Sequence, residues 1–337
     1  MKAMNIRKSF ARAIHSTSMP SVILFALALL FIAFGTSANF DWNYLVSFIN
    51  SNIAVLCICV GEAVIILTGG IDISLGSTVS LCNVLLIILM KQLQIPLFPA
   101  ILIMFLVAIA CGALNGFMVG VMRISPLLTS YATSIIYAGL ALVITRVPVY
   151  LKLTELSAFY KYRIFDFFPM SLIFLLIPYL MWKLYKHTPW GMHIYAIGQN
   201  EQSAYSSGIS VIRTKMVAYS FGGFCAGMGA LAMTSMIQGG DPKIGATMSM
   251  TAISAVAIGG VALSGGKGDA GGSIFGSLFL VTVSNIIVFW GIDTFWQEML
   301  RNLILLVSIV AAVLLSNSNL KSKMKIKRGE HHDGKSQ

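Results

Sequence analysis

Charge is scarce in this chain. Of its 337 residues, 10% are Asp, Glu, Lys or Arg, where a soluble domain carries roughly 25%. A water-soluble globule of this length cannot cover its surface with so little charge. A soluble enzyme, a disordered chain and a nucleic-acid-binding domain are therefore excluded. Cysteine is also sparse. Cys57, Cys59, Cys82, Cys111 and Cys225 all lie inside apolar stretches, and no two form a C-x-x-C pair. That leaves no disulfide framework and no zinc site, only small buried hydrophobes. Catalytic patterns are missing as well: there is no H-E-x-x-H, G-x-S-x-G or Walker-type G-x-x-x-x-G-K-[ST]. Gly265-Gly266-Lys267-Gly268 lacks the phosphate-loop spacing and its following hydroxyl residue. The chain is not expected to be an enzyme, to hydrolyse a nucleotide, or to bind a metal or cofactor of its own.

What is present is apolar. Hydrophobic residues make up 57% of the sequence, and the mean hydropathy is +0.84. The expected fold is an all-α integral membrane protein, a polytopic bundle. Ten intervals have the apolar character of spans: 20–37, 44–68, 73–90, 97–121, 127–146, 167–186, 215–238, 248–263, 271–290 and 299–316. The eighth is short and reads equally as a re-entrant or tilted segment. Lys2, Arg7, Lys8 and Arg12 precede the first span, and Lys321, Lys323, Lys325, Lys327 and Arg328 follow the last. The positive-inside rule puts both tails in the cytoplasm, which requires an even number of spans. It also places the 187–214 loop inside, flanked by Lys183, Lys186, Arg213 and Lys215. The expected organisation is a basic tail over 1–19, a transmembrane domain over 20–316 and a second basic tail over 317–337. Ile6, Phe10 and Ile14 share one helical face, as an interfacial helix would.

Small residues recur at GxxxG spacing in Gly112–Gly116–Gly120, Gly223–Gly227 and Gly272–Gly276. Such stripes let helix backbones approach closely. Two glycine-rich breaks interrupt the apolar helices. One contains Gly69, Gly70, Asp72, Ser74 and Gly76. The other contains Gly259, Gly260, Ser264, Gly265 and Gly266. Each fits a tight turn or a broken helix lining a pathway, since irregular backbone at membrane depth needs protein or water to satisfy it. Glu62 lies in the second span, close in sequence to Asp72. It is read either as a proton-coupling acid or as a structural hydrogen-bonder beside the break. In the 187–214 loop, Asn200 can cap a helix of two turns from Glu201 to Ser207, with Gly208 at its stop. A short rigid helix there suits docking into a partner's groove.

Three blocks carry a resemblance. The first runs from Gly61-Glu62 to Leu67-Thr68-Gly69-Gly70-Ile71-Asp72-Ile73-Ser74-Leu75-Gly76-Ser77. The second holds Tyr195-Ala196-Ile197-Gly198, Asn200-Glu201, Ala204 and Gly208-Ile209. The third is Ala257-Ile258-Gly259-Gly260 through Leu263-Ser264-Gly265-Gly266-Lys267-Gly268. Together they resemble the permease subunits of ATP-binding-cassette importers, in the branch that carries ribose, galactose, xylose and autoinducer-2. The second block departs from that pattern. Ser203, Ala204 and Tyr205 stand where two alanines and an arginine are usual.

The resemblance implies a ten-helix permease of the bacterial cytoplasmic (inner) membrane. It implies a partner permease, either a second copy or a sister chain. Two ATPase subunits would hold the ATP and Mg, and a periplasmic or lipid-anchored solute-binding protein would supply selectivity. Gly198, Asn200, Glu201, Ala204, Gly208 and Ile209 would couple to the ATPase. Glu62, Gly69, Gly70, Asp72, Ser74, Gly76, Gly259, Gly260, Ser264, Gly265 and Gly266 would line or gate the pathway. The competing reading is a self-contained, ion-coupled secondary transporter with Glu62 or Asp72 at the ion site.

Overall fold

The computed structural model describes residues 19–35 and 40–293, together with isolated positions between 296 and 307. Twelve helices are described. Nine correspond to expected spans: α1 (Met19–Gly35), α2 (Trp42–Leu67), α3 (Leu75–Lys91), α4 (Leu97–Gly120), α5 (Pro126–Ile144), α7 (Leu172–Lys186), α10 (Val211–Ile237), α11 (Met248–Ile258) and α12 (Ala270–Phe289). The other three are short: α6 (Thr154–Lys161), α8 (Pro189–Gln199) and α9 (Glu201–Ser206). Five helices, α2, α4, α5, α10 and α12, are long and apolar enough to cross a membrane. The expected tenth span, 299–316, and both tails with the interfacial helix lie largely or wholly outside the described residues.

The all-α expectation has two small exceptions. β1 (Val149–Tyr150) pairs antiparallel with β4 (Gly239–Gly240), and β2 (Arg163–Ile164) pairs with β3 (Phe168–Pro169). The second pair explains why α7 begins at Leu172 and not at 167. Extended backbone there is committed to the ladder, so the helix starts only after the strand.

α2 and α10 form the centre of the bundle, with 72% and 67% of their most apolar stretch buried, against 28% for α4 and α5. The glycine stripes explain how α10 packs so tightly. A Cβ on Gly112 would strike the Tyr219 carbonyl, and one on Gly223 would strike the Ala108 carbonyl. The stripes of α4 and α10 therefore face each other, backbone against backbone. On the outer faces Leu106, Ile135, Ile136 and Val143 stay exposed. An exposed apolar belt is the expected surface of a helix packed on one side and in hydrocarbon on the other.

The eighth expected span, 248–263, is corrected by the structure: the helix stops at Ile258. Gly259 packs directly on Gly272 and Ser273, and Gly260 takes a left-handed φ of 84°. α11 is thus half a span. Before it, β4 and the turns of residues 241–247 run beside α3. Polar side chains of α3 satisfy this backbone. Asn83 Nδ2 donates to the Gly239 carbonyl at 2.9 Å, and its Oδ1 accepts the Asp241 amide at 2.7 Å. Ser80 Oγ accepts the Gly245 amide at 2.9 Å. Without these partners each orphaned group would cost several kcal/mol in an apolar setting.

Candidate functional site

α2 ends at Leu67 because the chain must turn. Thr68 Oγ1 donates back to the Ile65 carbonyl at 2.7 Å, and Gly69 adopts φ 82°, a conformation that favours glycine. The turn is then held by carboxylates. Asp72 Oδ1 accepts from the Ser74 amide at 2.8 Å and from the Ser74 hydroxyl at 2.7 Å. Asn115 Nδ2, reaching across from α4, donates to Asp72 Oδ2 at 3.1 Å and to Ser74 Oγ at 2.8 Å. Glu62 Oε1 accepts the Asp72 amide at 3.1 Å. Both acids are fully buried, and neither forms an ion pair among the described residues. The geometry is a hydrogen-bonded clasp that fixes α3 at its angle to α2. Three atoms in this region have no partner among the described residues: Glu62 Oε2, Asn115 Oδ1 and the Tyr219 hydroxyl, the last beside Gly70.

The second break closes onto the first. The Gly266 amide donates to the Leu67 carbonyl at 3.0 Å, which replaces the bond that Leu67 loses where α2 ends. Within the break, the Ala262 amide donates to the Lys267 carbonyl at 2.9 Å. Gly198, at the end of α8, completes the joint. A Cβ there would collide with the Leu67 carbonyl and the Gly266 amide. A Cβ on Gly265 would lie 2.7 Å from the Gly69 amide nitrogen and 3.0 Å from the Gly198 Cα. Gly69, Gly198 and Gly265, from segments far apart in sequence, thus meet; there is no room for a side chain at Gly198 or Gly265, and at Gly69 the left-handed φ of 82° disfavours one. All three blocks of the resemblance converge on this one point.

The loop that delivers Gly198 is ordered. Thr188 caps α8, accepting the Gly191 amide at 3.3 Å, and Pro189 occupies the first turn. Tyr195 donates from its hydroxyl to the Gly268 carbonyl at 3.1 Å, and Gln199 Nε2 donates to the Gly266 carbonyl at 3.4 Å. Burial, reinforced by Asp269, pushes the Tyr195 phenol's pKa upward. It therefore keeps the proton it donates. Asp269, just past the second break, pairs with Lys186 at 2.9 Å and accepts from Trp182 Nε1 at 3.2 Å. Asn200 then caps α9 by accepting the Ser203 amide at 2.8 Å. Gly208 (φ 82°) ends this helix, and the Ile209 amide returns to the Ala204 carbonyl at 3.1 Å. Glu201 pairs with Lys215 of α10 at 2.7 Å. Gln202, Ser203, Tyr205 and Ser206 are exposed, whereas Ala204 is buried. The residues α9 presents outward are thus Ala204's neighbours.

Of the remaining candidates, Gly76, Gly259 and Gly260 sit apart from the joint and Ser264 borders it. Gly76 packs on the Gly245 carbonyl, and its amide donates to Ser249 Oγ at 2.7 Å. Gly259 packs on α12 and Gly260 makes the turn after α11. The Ser264 carbonyl borders Gly69. Sequence reading missed Asn115, Lys186, Gln199, Lys215 and Asp269 as parts of this site. Thr188-Pro189 is a legible helix start that would have turned half of the expected loop into α8. The cross-helix partners carry no local signal.

The sequence profile described as "Branched-chain amino acid transport system / permease component" matches residues 43–311. The ribose import permease protein of Bacillus subtilis is 30% identical over 259 residues, covering 75% of this chain and 79% of its own. The D-allose transport system permease protein of Escherichia coli is 30% identical over 271 residues, covering 80% and 82%. An autoinducer 2 import system permease protein of Photorhabdus temperata is 26% identical over 317 residues, covering 91% and 95%. No solved structure matches. On this evidence the chain belongs to the family of branched-chain amino acid transport system permease components.

Proposed function

We propose that this chain is the transmembrane permease subunit of an ATP-driven importer, and that it forms the pathway for a sugar or sugar-like small solute. The ribose and allose permeases among its relatives support the solute class. The observation that carries the reading is the three-glycine joint. A loop on one face of the bundle presents an exposed helix, α9. Its neighbour α8 rests by Gly198 on both glycine breaks at once. A displacement of α9 reaches the breaks through α8, and reaches α10 through Glu201 and Lys215.

In this reading two partner ATPases bind ATP and Mg, close, and push on α9. A partner permease completes the bundle, and a solute-binding protein delivers cargo from outside. The chain has ten spans with both tails in the cytoplasm, and it resides in the bacterial inner membrane. It binds no cofactor itself. Gly198, Asn200, Glu201, Ala204, Gly208 and Ile209 form the coupling element. Gly69, Gly70, Gly76, Gly259, Gly260, Ser264, Gly265 and Gly266 form the deformable backbone that gates the path. Glu62, Asp72 and Ser74 hold its first break.

The test is co-purification from native membranes followed by reconstitution. Recovery of an ATPase subunit and ATP-driven sugar uptake is the expected result. Tyr205→Glu, a bulky charge on the exposed face of α9, should cut uptake at least tenfold while the bundle stays folded. A chain that comes out alone and transports on an ion gradient would overturn the proposal and move attention to Glu62. The enclosure of Glu62 and Asp72 in the clasp weighs against that ion-coupled reading.

A further inference from the structure

A cleft of about 320 Å³ lies between α2, the 244–251 segment and the second half of α12. Five of its lining residues are neutral and polar: Asn52, Thr247, Thr251, Ser284 and Asn285. Among the described residues, no Asp, Glu, Lys or Arg lines it. Asn52 stands fifteen residues before Leu67 on α2, roughly 22 Å along the helix at 1.5 Å per residue. The cleft therefore lies well along the bundle from the glycine joint. Neutral polar side chains gathered at such depth are unfavourable against hydrocarbon and favourable against a polar occupant.

The hydrogen bonding on its wall defines the occupant's chemistry. Thr251 Oγ1 donates to the Thr247 carbonyl at 3.0 Å, and Ser284 Oγ donates to the Leu280 carbonyl at 3.1 Å. Asn52 Nδ2 donates to the Phe48 carbonyl at 2.6 Å, and Asn285 Nδ2 donates to the Tyr44 hydroxyl at 3.3 Å. These hydroxyl protons are committed within the wall, while the oxygens retain lone pairs. Asn52 and Asn285 each keep a second N–H, so the surface both accepts and donates hydrogen bonds. It suits a ligand whose hydroxyls both donate and accept, and it presents no countercharge among the described residues.

We propose that this cleft is the solute-binding stretch of the pathway, selective for neutral polyhydroxylated molecules. The inference rests on the permease reading above. The test exploits the five native cysteines, all of which are buried. In the full reconstituted complex, Thr251→Cys and Ser284→Cys are treated with a charged, water-soluble methanethiosulfonate. Ile136→Cys, on an exposed apolar face of α5, is the membrane-facing control. Both cleft cysteines should react at least tenfold faster than the control. Their modification should reduce ATP-driven uptake of radiolabelled pentoses and hexoses at least fivefold. No reaction at either position, meaning a cleft sealed by protein or lipid, overturns the proposal. So does full reaction with unchanged uptake. If labelling blocks uptake that is driven by an ion gradient and not by ATP, the importer reading fails and the cleft assignment stands.

Discussion

At the scale of single residues, the hydrogen bonds around Asp72 make the first prediction. Asp72→Ala would strand the Ser74 amide and hydroxyl and one N–H of Asn115 in a buried setting. Each orphaned donor costs about 1–3 kcal/mol. The expected outcome is a fall of several degrees in the unfolding temperature in detergent, with Asp72→Asn milder because it keeps an acceptor. The pH dependence of uptake should not change. Tyr219→Phe is the converse case. Its hydroxyl has no partner among the described residues, so its removal should leave stability unchanged or slightly raised in the same melt. A loss of more than about 1 kcal/mol, the worth of an ordinary hydrogen bond, would reveal a partner there.

At the scale of elements, the glycine stripes make a paired prediction. Gly223→Ala should push α10 off the Ala108 carbonyl of α4, at a cost of about 1–3 kcal/mol for overpacking. Gly139→Ala, within α5, meets nothing within 4 Å. It should be neutral or stabilising by up to about 1 kcal/mol, the helix preference of alanine over glycine. Thermal melts of the two variants side by side check this. The proposed coupling element makes another. Gly198→Val should leave no room between Leu67 and Gly266 and should part α8 from the breaks. Its expected mark is ATP hydrolysis that continues while uptake falls at least tenfold, measured on the same proteoliposomes. Lys215→Met should show a weaker version of the same split. The ion pair it breaks is half-exposed on the Glu201 side, and such pairs are worth about 1 kcal/mol or less.

At the scale of the whole molecule, the bundle is arranged around one mechanical centre. α2 and α10 are buried along most of their length, and both breaks and the end of α8 touch at Leu67. The stretch before α11 runs along α3 to Gly76, so the half-helix is held from both sides. Orientation is also a whole-chain property. Reporter fusions at either terminus should both be cytoplasmic, as their lysines and arginines require, and opposite locations would mean an odd number of spans.

Much of this was legible in the residues alone. The scarcity of charge determined the membrane, and uncharged intervals placed nine helices to within five residues at either end, because hydrocarbon admits little else. Asn200, Glu201 and Gly208 marked α9 through local capping, which needs no tertiary partner. The sequence by itself also flagged both glycine breaks as departures from helix. It did not reveal that they touch, nor that Gly198 lies between them. It could not assign Asn83 and Ser80 to the backbone of residues 238–247, or show that Ala204 is buried while Tyr205 is exposed. Those outcomes depend on which helix faces come together, and in an apolar chain every face looks alike. Close backbone approach and polar satisfaction across helices, which only the tertiary structure supplies, decided them.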